Sequence, residues 1–447
     1  MTDRSDTVNR GKAPRERDVM VTGMGFCMPG NGQPVCTPDE LWDIASHGRS
    51  CLTDDDVYYS KVNLTDEEFA TRLPDIPGVF SQHFTAAHRF GLISLAEACQ
   101  DARLDFREGA LAEAAILAGR GSVDANVESY VAASRADPET ISARDALELF
   151  VRTEQAATPS DVALVQGALT RSTGPCYTVS CGCASSAAQI GNARLMIASG
   201  AVDTAVVTGV DTLSVELVRN AQRLLGAAQR AGATARDAGV PDDLPSFDGP
   251  MRPYDRRAEC VNYGEGSATL ILESREHAER RGGRAYGQVL SDAMARDGLA
   301  HPLASDESGA GLVRAVEQCL TDRWDVTEVP YIHGGSDGDP VVTAFEANAV
   351  RQLYGSAAAG LLMTSQEACF GHNGAPAGNL GVALTLLMMR QQEVCPTANC
   401  EEPAEGIPFD PVPGARTRPL AFDHALSFTY QIGGVKSCIL LASPDAH

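Results

Sequence analysis

Two stretches of this 447-residue chain share one plan, and a fold must satisfy both at once. The first runs Tyr177-Thr178-Val179-Ser180-Cys181-Gly182-Cys183-Ala184-Ser185-Ser186 and continues helically through Gly191, Ala193, Leu195 and Ala198. It reads as a short β run, a tight turn of small residues, then a helix. The second spans Met363 to Met389 with the same order, and Gly371-His372-Asn373-Gly374-Ala375 stands where the first has Cys181 to Ser185. Such a repeat predicts a duplicated α/β architecture that brings two helix N-termini to one central site.

The order of elements around these stretches supports that prediction. Val19 to Gly25 reads as a strand, Phe90 to Ala102 as a helix, Ala114 to Gly121 as a buried strand, and Thr204 to Asp211 and Ser267 to Glu273 as further strands. In the second half, Ala285 to Leu290, the run into His333, and Ser437 to Ala442 read as strands, with a helix over Ala310 to Cys319. Residues 1–17 are polar and aperiodic and read as a disordered leader; the halves are expected over 18–280 and 281–447. Residues 123–160 read as charged helical elaboration, and 217–251 as a helix followed by an exposed loop. Gly23-x-Gly25 after a strand invites a dinucleotide reading, but the third glycine of that fingerprint is missing.

Charge and cysteine use narrow the class. With 36 basic against 59 acidic residues the net charge is −23, which disfavours nucleic acid and anionic membrane surfaces as partners. No run approaches the ~20 apolar residues of a membrane span. The 13 cysteines lack the spacing of a disulfide scaffold and no apolar leader precedes them, so a cytoplasmic location is expected.

Cys183 is the candidate nucleophile. At a strand-to-helix turn, unpaired N–H groups and the positive end of the macrodipole favour a thiolate, and small neighbours leave room for a thioester carbonyl. A free cysteine is more often a small buried hydrophobe, and Cys181-x-Cys183 has no second Cys/His pair at zinc spacing, so no metal is expected. Two of the nine histidines, His333 in Tyr331-Ile332-His333-Gly334-Gly335-Ser336-Asp337 and His372, follow strands and are bordered by glycines. That is how loops bring imidazoles to a site.

These segments resemble the β-ketoacyl-ACP synthases (ketosynthases) of the thiolase-like superfamily. Tyr177 to Ala193 is similar to their nucleophile segment, Arg252-Pro253-Tyr254-Asp255 with Gly264-Glu265-Gly266 to a second, and the His333 and His372 segments to the two that complete a Cys-His-His site. The resemblance covers nearly the whole chain. It implies a five-layer αβαβα fold, a homodimer formed through Thr204 to Asp211, no cofactor, and an acyl carrier protein or acyl-CoA thioester as substrate. Cys183 would accept the acyl group and His333 and His372 would act on the acceptor. The backbone N–H groups of Cys183 and Ile432 would form the oxyanion hole, each worth roughly 3 kcal/mol. Gly335, Asp337, Tyr430 and Gly433 would line the substrate pocket, and Glu265 and Glu346 would be structural. Arg275, Arg280, Arg281 and Arg284 are candidates for a carrier-binding patch, or a solvated helix face.

The departures bear on the reaction. Relatives carry Lys five residues before the second histidine, where this chain has Glu367, and a Glu that pairs with it, where this chain has Gly381. Two threonines that contact the carrier's pantetheine are Gly335 and Asp337, and the Gly-Phe-Gly-Gly gate is Gln431-Ile432-Gly433-Gly434. An ionised Glu367 about 4 Å from a malonyl carboxylate would oppose it by roughly 4 kcal/mol at an effective dielectric of ~20. Beside an imidazole, the same carboxylate strengthens a base. Three readings follow: acyl transfer from Cys183 without decarboxylation, with Glu367 orienting the base; ordinary decarboxylative condensation, with Glu367 turned away into a salt bridge; or a non-catalytic chain-length-factor-like subunit, against which the retained Cys183 speaks. A plain thiolase would need a second cysteine on a glycine turn near the C-terminus, and Cys438 lies in a strand run instead.

Overall fold

The computed structural model describes residues 16–76, 81, 83–121, 127–137, 139–157, 161–232 and 246–446. Residues 1–15 of the expected leader lie outside the described residues. Its last residue, Arg17, is already docked, its N–H on the Ala198 carbonyl at 3.1 Å and its guanidinium on Asp203 at 2.5 Å.

Ten strands form the frame: β1 Val19–Cys27, β2 Ala115–Gly119, β3 Cys176–Val179, β4 Thr204–Asp211, β5 Gly266–Ser274, β6 Gly287–Arg296, β7 Tyr331–His333, β8 Leu362–Thr364, β9 His424–Gln431 and β10 Val435–Ala442. Their order is β8-β7-β9-β10-β6-β1-β5-β4-β2-β3. Read outward from the centre, β1-β5-β4-β2-β3 and β6-β10-β9-β7-β8 are the same sequence of strands with the same directions, three parallel outer strands and two antiparallel inner ones. The halves join where Met20 and Val21 pair with Gln288 and Gly287. The duplication expected from the two turns is therefore present strand for strand.

Helices complete the layers. α1 (Ala86–Ala102) and α2 (Asp161–Thr170) cover the outer face of the first half; α5 (Ala310–Leu320) and α6 (Pro340–Tyr354) cover that of the second. Between the halves lie α3 (Ser185–Ala198) and α7 (Ala377–Gln391), packed on each other and on both sets of strands, while α4 (Val215–Arg230) follows β4 at the surface. A helix enclosed on all sides must be apolar all round, and every residue of α7 from Ala377 to Met389 is buried. Its small residues let the backbones close in: a Cβ at Gly378 would lie 2.5 Å from the Ala187 nitrogen. Gly25 in β1 serves the same purpose, because a Cβ there would lie 2.2 Å from Ser94 O of α1. The Gly-x-Gly that invites a nucleotide reading is thus a helix-packing surface.

Two expectations are corrected. Strand Thr204–Asp211 is buried throughout and bonded to β2 on one side and β5 on the other, so it has no edge for a second subunit. Among the described residues the free edge of this half is the half-buried β3, which bonds β2 alone. Strand order in a sheet is not written in periodicity, so an interior strand can read as an edge. The arginine patch also fails. Arg275 pairs with Asp18, Arg280 with Asp203 and Arg281 with the buried Glu273. These residues follow the end of β5 opposite to the one where Gly266 meets Asp211 beside the nucleophile turn. Strand β9 has no counterpart among the expected elements, because the polar alternation of Ser427 and Thr429 disguises it.

The charged insertion contains helices at Val127–Arg135 and Ala143–Ala157, with 122–126, 138 and 158–160 outside the described residues. Most of the loop expected after α4, residues 233–245, also lies outside them. Among the described residues no helix is long and apolar enough to cross a membrane.

Candidate active site

The nucleophile turn is pinned before it presents its sulfur. Gly182 adopts φ +51°, where a side chain would be strained, and a Cβ there would lie 2.7 Å from Gln431 Cγ. Ser185 Oγ accepts from the Cys181 N–H at 2.8 Å and donates to the Gly182 carbonyl at 2.5 Å. α3 then begins without a side-chain cap, leaving its N-terminal end unmasked beside Cys183.

The second turn is fixed by its neighbours. His372 donates its backbone N–H to Asn262 O (2.8 Å) and accepts from the Gly264 N–H (3.0 Å), while Gly371 and Gly374 supply φ of +74° and +70°. Asp211, at the end of β4, ties the two halves: Oδ1 accepts from the Gly121 N–H (3.0 Å) and Oδ2 from the Ala375 N–H (2.7 Å). Gly121 packs against Gly182, so one buried carboxylate holds both turns in register. Sequence reasoning missed Asp211; the signal was an acid closing an otherwise apolar strand.

Cys183 Sγ lies 2.7 Å from His372 Nε2, and His372 Nδ1 lies 3.1 Å from Glu367 Oε2. Glu367 therefore points at the imidazole and not into a distant salt bridge, and the three side chains form a Cys–His–Glu relay. Asp337 Oδ2 is 3.9 Å from the same Nδ1. Tyr263, another residue not foreseen, lies beside the ring at a centroid distance of 6.4 Å. Burial disfavours the imidazolium, but the Cys183 sulfur and the Glu367 carboxylate outweigh it and hold the His372 proton well above the ordinary imidazole range.

His333 is placed differently. It ends β7, its ring abuts Gly381, Ser427 and Gln366, and burial pushes it down to about 4, so it is neutral at physiological pH. Among the described residues the hydrogen bond of the Cys183 sulfur is to His372 and not to His333. The two histidines thus differ in charge.

The other expected residues divide into two groups. Gly335 and Tyr430 pack against each other and bond the buried Glu346, the Gly335 N–H at 2.8 Å and the Tyr430 hydroxyl at 2.8 Å, with Tyr254 donating from the other side at 2.9 Å. This cluster braces the loop that carries Asp337, and burial pushes the Glu346 carboxyl up to about 7. Ile432 and Gly433 form the β9–β10 turn; Ile432 is 67% exposed and follows Gln431, the residue lying over Gly182. Gly433 has φ +90° and approaches Pro302 O so closely that a Cβ would sit 2.3 Å from it. Glu265 accepts from the N–H groups of Val62 (3.1 Å) and Leu213 (2.9 Å) and pairs with Lys61, a structural role.

A cysteine thiol against a histidine where two duplicated halves meet is the arrangement that the resemblance to ketosynthases leads one to expect. Family comparison agrees: residues 16–278 match Beta-ketoacyl synthase, N-terminal domain, and 286–401 match Beta-ketoacyl synthase, C-terminal domain. The chain belongs to the beta-ketoacyl synthase family and is a ketosynthase-like enzyme of the transferase or synthase kind. It is 27% identical over 441 residues to the "Putative polyketide beta-ketoacyl synthase 1" of Streptomyces cyaneus, covering 96% of this chain and 98% of that one. It is 24% identical over 444 residues to the "3-oxoacyl-[acyl-carrier-protein] synthase 2" of Vibrio cholerae, covering 95% and 99%. Among solved structures, the ishigamide ketosynthase/chain length factor matches with a TM-score of 0.76 at 21% identity, covering 96% of this chain and 99% of that one. A type II PKS ketosynthase in complex with its acyl-carrier protein matches with 0.76 at 20%, covering 96% and 100%.

Proposed function

We propose that this enzyme forms an acyl thioester on Cys183 and passes the acyl group to an acceptor without decarboxylation, in biosynthesis of polyketide or fatty-acid type. The observation that carries this reading is the Glu367 carboxylate on His372 Nδ1, opposite the nitrogen that meets the sulfur. The acyl donor is a carrier-protein or CoA thioester, and the names of its relatives support the carrier form. The free edge of β3 offers a place for a homodimer contact, and the thirteen free thiols fit a reducing cytoplasm.

The steps balance within the relay. In the resting pair the Cys183 proton sits on His372 Nε2, where Glu367 stabilises the imidazolium, and the thiolate sulfur attacks the donor carbonyl. Collapse of the tetrahedral adduct breaks the donor C–S bond, and the departing thiol takes that proton. An acceptor X–H then gives its proton to Nε2 as X attacks the acyl carbon, and Cys183 recovers it on leaving. His333, neutral, donates to the carbonyl, and the N–H groups of Cys183 and Ile432 receive the oxyanion. Malonyl condensation fits this site poorly. Its carboxylate would meet Glu367 and Asp337 beside a single imidazolium, at roughly 4 kcal/mol per like charge about 4 Å away and a dielectric of ~20.

Intact mass after incubation with an acyl-pantetheine thioester tests the first half: an acyl adduct is expected on the native chain and not on Cys183→Ala. A malonyl-carrier assay tests the second, and brisk CO2 release with a condensed product would establish ordinary condensation instead.

A further inference from the structure

Beneath the His333 ring, four buried polar atoms have no hydrogen-bond partner among the described residues: His333 Nδ1 and Nε2, Ser427 Oγ and Gln366 Oε1. Ser427 and His333 are only 2% and 6% exposed, so solvent does not satisfy them. They are register partners on the parallel strands β7 and β9, with side chains on one face of the sheet. Both point to the same spot on α7. A Cβ at Gly381 would lie 2.7 Å from Ser427 Oγ and 3.1 Å from His333 Nδ1. The glycine is what leaves room for the two groups to meet, directly or through one water.

Gln366 is the other polar group beside the ring. Its Nε2 donates to Thr364 Oγ1 and to the Pro396 carbonyl, both at 3.2 Å, which leaves the acceptor Oε1, unbonded among the described residues, to answer the ring. An acceptor beside one nitrogen calls for a proton there. With that proton on Nε2, the nitrogen over Gly381 is left to accept, and the Ser427 hydroxyl, which converges on the same glycine without a direct bond to the ring, is the donor that one water or a small shift would bring to it.

We propose that Ser427 is a positioning residue that holds His333 in the Nε2–H tautomer, and that Gly381 is required because any side chain would occupy the place where Ser427 meets Nδ1. The assignment gives function to a second loss from the family pattern, and its catalytic consequence rests on the role proposed above for His333. In the wrong tautomer the ring would turn a lone pair, not a proton, toward the acyl carbonyl.

The direct test needs no substrate. In 15N-histidine-labelled enzyme, with the His333 signals identified by their absence in His333→Gln, Nδ1 is expected as the unprotonated nitrogen and Nε2 as the protonated one. Ser427→Ala should move both nitrogens toward mixed values, and Ser427→Thr should restore the native pattern. A protonated Nδ1 in the native enzyme, or an unchanged pattern in a folded Ser427→Ala, overturns the assignment whatever reaction the enzyme performs. In acyl transfer, Ser427→Ala is expected to lower kcat about tenfold at constant KM. Alkylation of Cys183 by iodoacetamide, which reads the His372 relay alone, should stay within about twofold; a parallel loss would show general disruption and refute the positioning role.

Discussion

Replacing Glu367 by glutamine tests the relay at its most informative point. The substitution keeps a hydrogen-bond acceptor near His372 Nδ1 and removes only the charge. At 3.1 Å and an effective dielectric of ~20 the bare attraction between carboxylate and imidazolium is about 5 kcal/mol. The amide of Glu367→Gln would retain part of it as a neutral hydrogen bond of about 0.5–1.5 kcal/mol against about 1.5–3 for the charge-assisted one, an excess of about 1–1.5 kcal/mol. Acylation of Cys183 should therefore slow about five- to tenfold, followed as thiol release from an acyl-pantetheine donor in a single turnover. The pH profile carries an independent sign. Burial lowers the His372 proton affinity, while Cys183 and Glu367 raise it and prevail. Without the carboxylate, the basic limb where the imidazolium loses its proton should move to lower pH. Acylation within about twofold of native, with an unmoved basic limb, would refute the relay.

Glu367→Lys should permit release of CO2 from a malonyl thioester, read with a labelled carboxylate, by replacing the opposing charge with an attracting one. Adding Gly381→Glu should cost about 1–3 kcal/mol in stability by urea denaturation, because its Cβ would meet Ser427 Oγ at 2.7 Å. For Glu346, burial holds the native carboxyl at about 7 against an ordinary value of 4.5, so stability present below 4.5 is lost as pH rises through 7. Glu346→Gln should remove this loss, narrowing the difference in unfolding free energy between about pH 4.5 and 8 by on the order of 3 kcal/mol.

Legibility in the sequence followed the range of the forces involved. The strand–turn–helix units at Cys183 and His372 were readable because glycine conformations and apolar runs are local, and their repetition carried the duplicated fold with it. The direction of Glu367 was not readable, since a side chain on a one-turn helix is aimed by what its turn packs against. Asp211 was missed for a related reason: its partners, Gly121 and Ala375, lie 90 and 164 residues away. The arginines after β5 looked free because Asp18, Asp203 and Glu273 answer them from other elements. The loss of the family's Lys and Glu could be read by resemblance, but not that Gly381 abuts His333.

That last contact explains why the two losses belong together. The resemblance implies a Lys and a Glu paired at these two positions. A carboxylate at 367 facing another at 381 would cost roughly 4 kcal/mol at about 4 Å and a dielectric of ~20. Glycine at 381 removes that conflict and frees the space where Ser427 and His333 converge. The same exchange drives the two imidazoles apart. His372, facing Cys183 and Glu367, holds its proton above the ordinary imidazole range, while burial keeps His333 neutral. In the proposed mechanism His372 takes up the acceptor's proton only after giving its own to the departing thiol, while the neutral His333 donates to the carbonyl throughout. The proposed transfer to an X–H acceptor can run in that order, whereas a malonyl carboxylate would face the Glu367 carboxylate where the resemblance implies a lysine.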